Sequence, residues 1–394
     1  MKNRGITLIS LVVTIIILLV LAGVAIGTLT GDNGLIARAQ EARDKTEQSS
    51  NDELTKIAAL EAVTHLEDYD YTDKDGKKIK IPKGFAVSNI EGEKSEAEGL
   101  VIIDGKGNEF VWIPCSVNDY QNCKNRNIKD WKSYEYTNKT WTDDEMYNIG
   151  LESITKLEIA GYSTGFYVAR YEAGIPEEMT EAYVNTDGGE YKQAGTTENP
   201  IKNNSKYIPV SKKSVQAWNF ISQENAVEVA KKMVQGKSYL INGTAWDVMI
   251  NKIDKVAKKS ITNSTEWGNY YNTPKSKYNK INTLYANHEL GNDWTIATIY
   301  KKGLVTEVPE GKGTGRLELA TGSSDEFKAY NLYDVAGNMW EWTTEKGTDS
   351  NDSAVFRGGN FNSRGDIYSA GYIYGDNTKN RGYVSVGFRV VMYM

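Results

Sequence analysis

Between Ile6 and Leu29 the chain carries no charged residue, and this run limits what the N-terminus can be. As a helix rising about 1.5 Å per residue it reaches roughly 36 Å, longer than a bilayer core of about 30 Å. Lys2 and Arg4 precede it. Positive flanks stay in the cytoplasm, so the run predicts a single-pass cell-membrane protein whose C-terminal bulk is extracellular. A cleavable secretory signal ending at Leu21-Ala22-Gly23 is the alternative. No cysteine follows to accept a lipid. The transmembrane helix is placed at 6–30 and is ended by Gly31-Asp32-Asn33-Gly34. An amphipathic stalk and linker follow over 31–78. A helical pattern from Leu35 to about Leu66 sets Ile36, Ala39, Leu54, Ile57 and Leu60 among charges. From 79 to 394 the pattern is that of one globular domain.

Composition excludes several functions. The net charge is −6 with no Lys/Arg block, so no nucleic acid is expected as a partner. Only His65 and His288 are present, which rules out a three-histidine metal site and leaves a Ser/His/Asp triad only those two. Cys115 and Cys123 are too few for a disulfide scaffold or zinc module. They are either a pair in an oxidising compartment or two free thiols. Short strand patterns dominate the domain, as in Gly99–Ile103, Glu109–Ile113 and Gly165–Arg170. Two stretches read as helices, Ser214–Gln235 and Gly243–Val256. No repeat is visible, which argues against a propeller.

Two resemblances add to this. Met-Lys-Asn-Arg-Gly5 before Ile6-Thr-Leu-Ile-Ser10 resembles the leader of bacterial type IV prepilins. That implies cleavage between Gly5 and Ile6 by a prepilin peptidase, methylation of the new N-terminus, and other pilins as partners. The family's usual Phe is Ile6 here and its usual Glu is Ser10, which bears on filament assembly but not on anchoring.

Residues 79–394 resemble the formylglycine-generating enzyme (sulfatase-modifying factor) family. The motifs are Phe110-Val-Trp-Ile-Pro114, Phe166-Tyr-Val-Ala-Arg-Tyr-Glu172, Pro209-Val through Trp218, and Ala245-Trp-Asp247 where the family has Glu-Trp. Tyr330-Asn-Leu-Tyr-Asp-Val-Ala-Gly-Asn-Met-Trp-Glu-Trp342, Phe356-Arg-Gly-Gly359 and Gly387-Phe-Arg389 follow in family order. The resemblance implies an α+β, C-type-lectin-like fold with little regular structure. It also implies a structural Ca²⁺ around Asp334, Gly337, Met339 and Glu341, although these carboxylates equally suit turn capping. No cofactor is required.

Catalysis is not expected. The sulfatase-activating oxidases of the family bind copper through two cysteines, whose places are taken here by Ser363 and Tyr368. The iron-dependent sulfoxide synthases need three histidines. Instead, residues 360–385 consist almost wholly of Asn, Ser, Gly, Tyr, Arg and Asp, the vocabulary of antibody paratopes. Scaffold motifs bracket them. Such a face over 356–389 resembles the variable proteins of diversity-generating retroelements. The candidate variable, ligand-binding positions are Asn360, Asn362, Ser363, Arg364, Asp366, Tyr368, Tyr372, Tyr374, Asn377, Lys379, Asn380, Arg381 and Tyr383. The expected function is a membrane-anchored, surface-displayed adhesin or receptor for an extracellular protein or glycan. The alternatives are a minor pilin or pseudopilin, and a diverged oxidase.

Overall fold

The structure, a computed structural model, describes Ile15 and residues 35–124, 141–179, 202–274, 277, 285–287, 317–347 and 353–394. The leader, Gly5-Ile6 and the apolar run lie outside these residues, Ile15 apart. Among the described residues no helix is long and apolar enough to cross a membrane.

The chain divides into two units, Met1–Lys56 and Ile57–Met394. Helix α1 (Leu35–Ala62) supplies the described part of the first unit, Ile15 apart, and its last turns belong to the second. This division falls earlier than the 78/79 boundary read from sequence. Ala58 and Ala62 are fully buried, and the hairpin of β1 (Tyr69–Thr72) and β2 (Lys78–Ile81) buries Ile79 and Ile81. Lys78 and Lys80 of the hairpin both pair with the exposed Asp70, whereas Asp73 in its turn is buried and accepts from Asp75 N, Lys77 N and Glu96 N.

The second unit continues with β3 (Phe85–Val87), β4 (Val101–Asp104), β5 (Glu109–Pro114), α2 (Val117–Lys124), β6 (Trp141–Thr142), α3 (Asp144–Ile159) and β7 (Gly165–Ala169). Then come α4 (Gln223–Met233), β8 (Ser238–Leu240), α5 (Gly243–Lys252), β9 (Tyr285–Asn287), β10 (Leu317–Leu319), β11 (Lys328–Ala329) and β12 (Leu332–Tyr333). The chain closes with β13 (Trp340–Gly347), β14 (Ser353–Arg357), β15 (Ile373–Thr378), β16 (Val386–Phe388) and β17 (Val390–Met392). One sheet runs β3-β4-β5-β7-β17-β8 and a second runs β15-β14-β13-β16, with β6 also on β13.

The first sheet is buried on both faces. Successive strand residues point to opposite sides. Val111 and Ile113 of β5 enter a core with Phe166, Val168 and α5 residues Trp246, Met249 and Ile250. Phe110 and Trp112 enter a second core with Trp218, α4 residues Ala226, Val229 and Ala230, and Trp342, Phe356 and Phe388 of the second sheet. Trp340 and Trp342, two apart on β13, are buried in this same core.

The structure shortens the first expected helix. Ser222 caps α4, its Oγ accepting from Asn225 N. The preceding Ala217-Trp218 is extended beside Ala173-Gly174, with Trp218 N donating to Ala173 O at 2.7 Å. Helix α5 starts as expected, capped by Asn242, and ends in a π turn over Ile253–Ala257. Helices α2 and α3 have no counterpart among the two stretches expected to be helical. In α3 the buried Met146, Tyr147, Gly150, Ile154 and Leu157 nonetheless recur at helical spacing. The alternation Val384, Val386, Phe388, Val390 reads as one strand, but Arg389 divides it. β16 pairs parallel to β13, while β17 lies between β7 and β8 in the other sheet.

Candidate functional site

The C-terminal face is built on a floor of three aromatic rings. The antiparallel register sets Trp342 against Phe356. The Phe356 ring lies 5.2 Å from that of Trp342 and 4.9 Å from that of Trp340. Four tyrosines sit on this floor. Tyr383 packs 6.0 Å from Trp342, and Tyr374 stacks on Phe356 at 5.0 Å with planes 2° apart. Tyr368 and Tyr372 lie 5.8 and 6.1 Å from Trp340 and 4.9 Å from each other. The result is one continuous aromatic band. Each such contact contributes about 0.5–1.5 kcal/mol beyond burial, so the rings hold one another in place before any ligand arrives.

The thirteen candidate positions do not all lie at the surface. Asn362, Arg364, Asp366, Asn380 and Arg381 are exposed, and Ser363, Tyr368, Tyr374, Lys379 and Tyr383 are half-buried. Asn360 and Tyr372 are buried, at 4% and 6% exposure, and belong under the face. Asn360 Oδ1 accepts from Asn362 N at 3.1 Å and from Ser363 Oγ at 2.6 Å, fixing the first turn. Tyr372 is a packing ring of the band. Asn377 lies on β15, and its side chain is outside the described ones.

The polar rim is tied down as well. Arg364 donates to Asp366 through Nε and Nη2 at 3.1 and 2.8 Å, and this hydrogen-bonded pairing holds the exposed Asp366 carboxyl below its usual range. Lys379 pairs with Glu224 of α4 at 3.5 Å. Gly382 passes so close to the Phe220 carbonyl that a Cβ would overlap it. Sequence reasoning missed residues 260–273, which line this face. Tyr271 N donates to Ser363 O and Ser264 N to Gly365 O, both at 2.9 Å. The available signal was Tyr270-Tyr271 inside a polar Ser/Thr/Asn stretch.

Beneath the face are buried charges. Arg389 donates to both oxygens of Glu341, at 2.6–3.1 Å, and to the carbonyls of Ala169 and Tyr333 at 3.0 and 2.9 Å. Glu172 accepts from Met339 N at 2.9 Å and from Asn338 Nδ2 at 2.6 Å. Asp334 Oδ2 accepts from Gly322 N at 2.7 Å, while its Oδ1 has no hydrogen-bond partner among the described residues. Burial pushes the Asp334 carboxyl up to about 7, against the hydrogen bond from Gly322 and the charge of Arg389.

The carboxylates expected from sequence to hold calcium meet protein groups here. Glu341 has the Arg389 guanidinium on both oxygens, and Asp334 Oδ2 accepts from Gly322 N. Among the described residues no group of three or more His, Cys, Asp or Glu side chains is placed to hold a metal ion. A second buried cation, Arg357, pairs with Glu345 at 2.7 Å and Asp247 at 3.2 Å. Nearby, Asp143 accepts from Gly243 N and Thr344 Oγ1. Burial first, and the Glu345 charge second, push its carboxyl up to about 8.

Ser363 and Tyr368, expected from the resemblance to stand where the oxidases have cysteines, are respectively bonded to Asn360 through the hydroxyl and packed in the band. Cys115 is a free thiol buried in the other core, and Cys123 Sγ accepts from Asn251 Nδ2 at 3.5 Å. Elsewhere a groove of about 1090 Å³ opens between Val63, Phe85, Lys106, Lys206, Ile208 and Met233.

A family model described as "Sulfatase-modifying factor enzyme 1-like domain" matches residues 176–394, more than half of the chain. The chain belongs to this family. It is similar to the solved structure of PvdO from Pseudomonas aeruginosa, at 14% identity and TM-score 0.30 over 59% of this chain and 82% of that one. It is also similar to the Major Tropism Determinant P3c variant, at 14% identity and TM-score 0.28 over 58% of this chain and 50% of that one. Treponema denticola variable protein 1 aligns at 12% identity and TM-score 0.20, over 83% of this chain and 99% of that one. No curated protein sequence matches the chain.

Proposed function

We propose that this protein is a membrane-anchored, surface-displayed binding protein, and that its domain is a non-catalytic member of its family. The aromatic band carries this reading. Tyr368, Tyr374 and Tyr383 are half-exposed rings on a rigid floor, rimmed by Asn, Ser and Arg side chains. Rigid tyrosines offer large contact area at little entropic cost, and short polar side chains adapt their hydrogen bonds to the ligand. The segment between Gly359 and Val386 is bonded at both ends to scaffold strands, so its exposed positions can change without disturbing either core. That tolerance suits diversification. The uncharged run 6–29 behind Lys2 and Arg4 supports an anchor with the domain outside, and Gly5-Ile6 supports prepilin-type processing.

The test uses the full chain in lipid nanodiscs on printed arrays of glycans and extracellular proteins. Wild type retains specific hits. The Tyr368→Ala/Tyr374→Ala/Tyr383→Ala variant loses them while keeping a cooperative thermal transition. Hits that survive the triple substitution contradict the reading.

A further inference from the structure

The face does not end at residues 360–385. Residues 260–273 are bonded to it at six points, three of them backbone to backbone. Besides the Tyr271–Ser363 and Ser264–Gly365 bonds, Gly371 N donates to Ile261 O at 3.0 Å and Gly365 N to Asn272 Oδ1 at 2.9 Å. Ala370 N donates to Ser264 Oγ at 3.0 Å, and Asn272 Nδ2 donates to Asp366 at 3.0 Å. Gly365 permits the approach, since a Cβ there would meet Tyr270 at 2.7 Å and Thr265 N at 2.8 Å. Adjacent tyrosines take opposite roles. Tyr270 is buried and its hydroxyl donates to Gly358 O at 2.6 Å, while Tyr271 is turned outward.

This places two large apolar side chains in the open on one pinned patch, Tyr271 at 44% and Ile367 at 43% exposure. A single exposed apolar residue needs no explanation, but two on a preorganised patch flanking the Arg364–Asp366 pair have the make-up of a protein hot spot. An exposed aliphatic Ile offers a sugar hydroxyl nothing and an apolar side chain a contact. The charge on the rim is also incomplete. Arg364 and Lys379 each have a carboxylate, whereas the exposed Arg381 has no ion pair among the described residues. The exposed Glu266 of the added stretch likewise has no ion pair among the described residues, so the patch offers one unpaired charge of each sign. We propose that the binding face extends over residues 260–273, and that its ligand is a protein docking an apolar side chain between Tyr271 and Ile367 and, elsewhere on its surface, a carboxylate on Arg381.

This rests on the binding role proposed above, and the experiment separates the two. A phage-displayed library of disulfide-constrained random peptides is selected on the full chain in nanodiscs. Enriched peptides are synthesised, and Kd is measured on wild type, Tyr271→Ala, Ile367→Ser, Arg381→Ala and Tyr374→Ala/Tyr383→Ala. A glycan array is run in parallel. The expected peptides pair an apolar residue with Asp or Glu. They bind Tyr271→Ala and Ile367→Ser at least about tenfold more weakly, and their salt dependence falls on Arg381→Ala. Weakening by the Tyr374/Tyr383 variant alone overturns the extension and leaves the binding role standing. Indifference to every variant overturns both. Glycan hits lost on Tyr271→Ala, with no peptide enriched, overturn the protein ligand.

Discussion

Arg389→Met removes the cation on which the join between the two sheets depends. Arg389 and Glu341 are both fully buried, and Arg389 also fills two backbone acceptors from β7 and β12. Removing one partner of a buried pair strands the other charge, at a cost of about 3–5 kcal/mol. That is a large part of a typical domain stability of about 5–15 kcal/mol. Met fills similar space, so lost packing adds little. The cost depends on pH. Burial already raises the Glu341 carboxyl, and the charge and hydrogen bonds of Arg389 are what oppose it; Arg389 also opposes the rise at Asp334. Without Arg389 both carboxyls hold protons to higher pH. A carboxyl whose folded pKa exceeds its unfolded value costs stability where it is ionised, and the cost vanishes as pH falls through the folded value towards the unfolded one. Urea titrations followed by tryptophan fluorescence should show the variant weaker by about 3–5 kcal/mol at pH 8, with a smaller gap at pH 5. Arg389→Met/Glu341→Leu should recover most of the loss. A gap under about 1 kcal/mol at pH 8, or one unchanged by pH, refutes the electrostatic account.

Two further outcomes follow from buried groups. Asp143, pushed up to about 8, binds a proton in the folded state that it releases when unfolded, so wild-type stability falls as pH rises from about 5 to 8. Asp143→Asn abolishes that loss, and urea midpoints at pH 6, 7.5 and 9 should shift in its favour; a constant difference contradicts it. Cys115 is buried, with its thiol donating to Ser116 O at 3.3 Å, and burial raises its pKa. A thiol reagent should therefore label Cys123 first and Cys115 only with global unfolding, which mass spectrometry of the two peptides resolves; equal native rates contradict this.

What sequence reading reached, and where it stopped, follows from how far each signal extends along the chain. Trp340 and Trp342 were readable as one buried strand face because the period of two is local. The starts of α4 and α5 rest on Ser222 and Asn242, also local, but the extended entry Ala217-Trp218 is set by distant Ala173, although its sequence pattern is helical. Val386, Phe388 and Val390 alternate correctly, yet nothing near them tells that Arg389 reaches Glu341 and turns the chain into another sheet. The same partner sits on both oxygens of Glu341, a member of the expected calcium set. At the face, composition located the polar, tyrosine-rich segment but could not rank its tyrosines. Tyr372 and Asn360 are buried because Trp340 and the Asn360–Ser363 turn claim them. Residues 260–273 join the face through backbone bonds, which no side-chain pattern announces.

The central claim is that ligand is held on the aromatic band, and the large groove offers the competing location. Titration of the strongest array ligand into the full chain in nanodiscs decides between them. The account predicts at least about a tenfold rise in Kd for Tyr374→Ala/Tyr383→Ala and an unchanged Kd for Lys106→Ala/Lys206→Ala in the groove. An unchanged Kd on the band with a rise in the groove contradicts it.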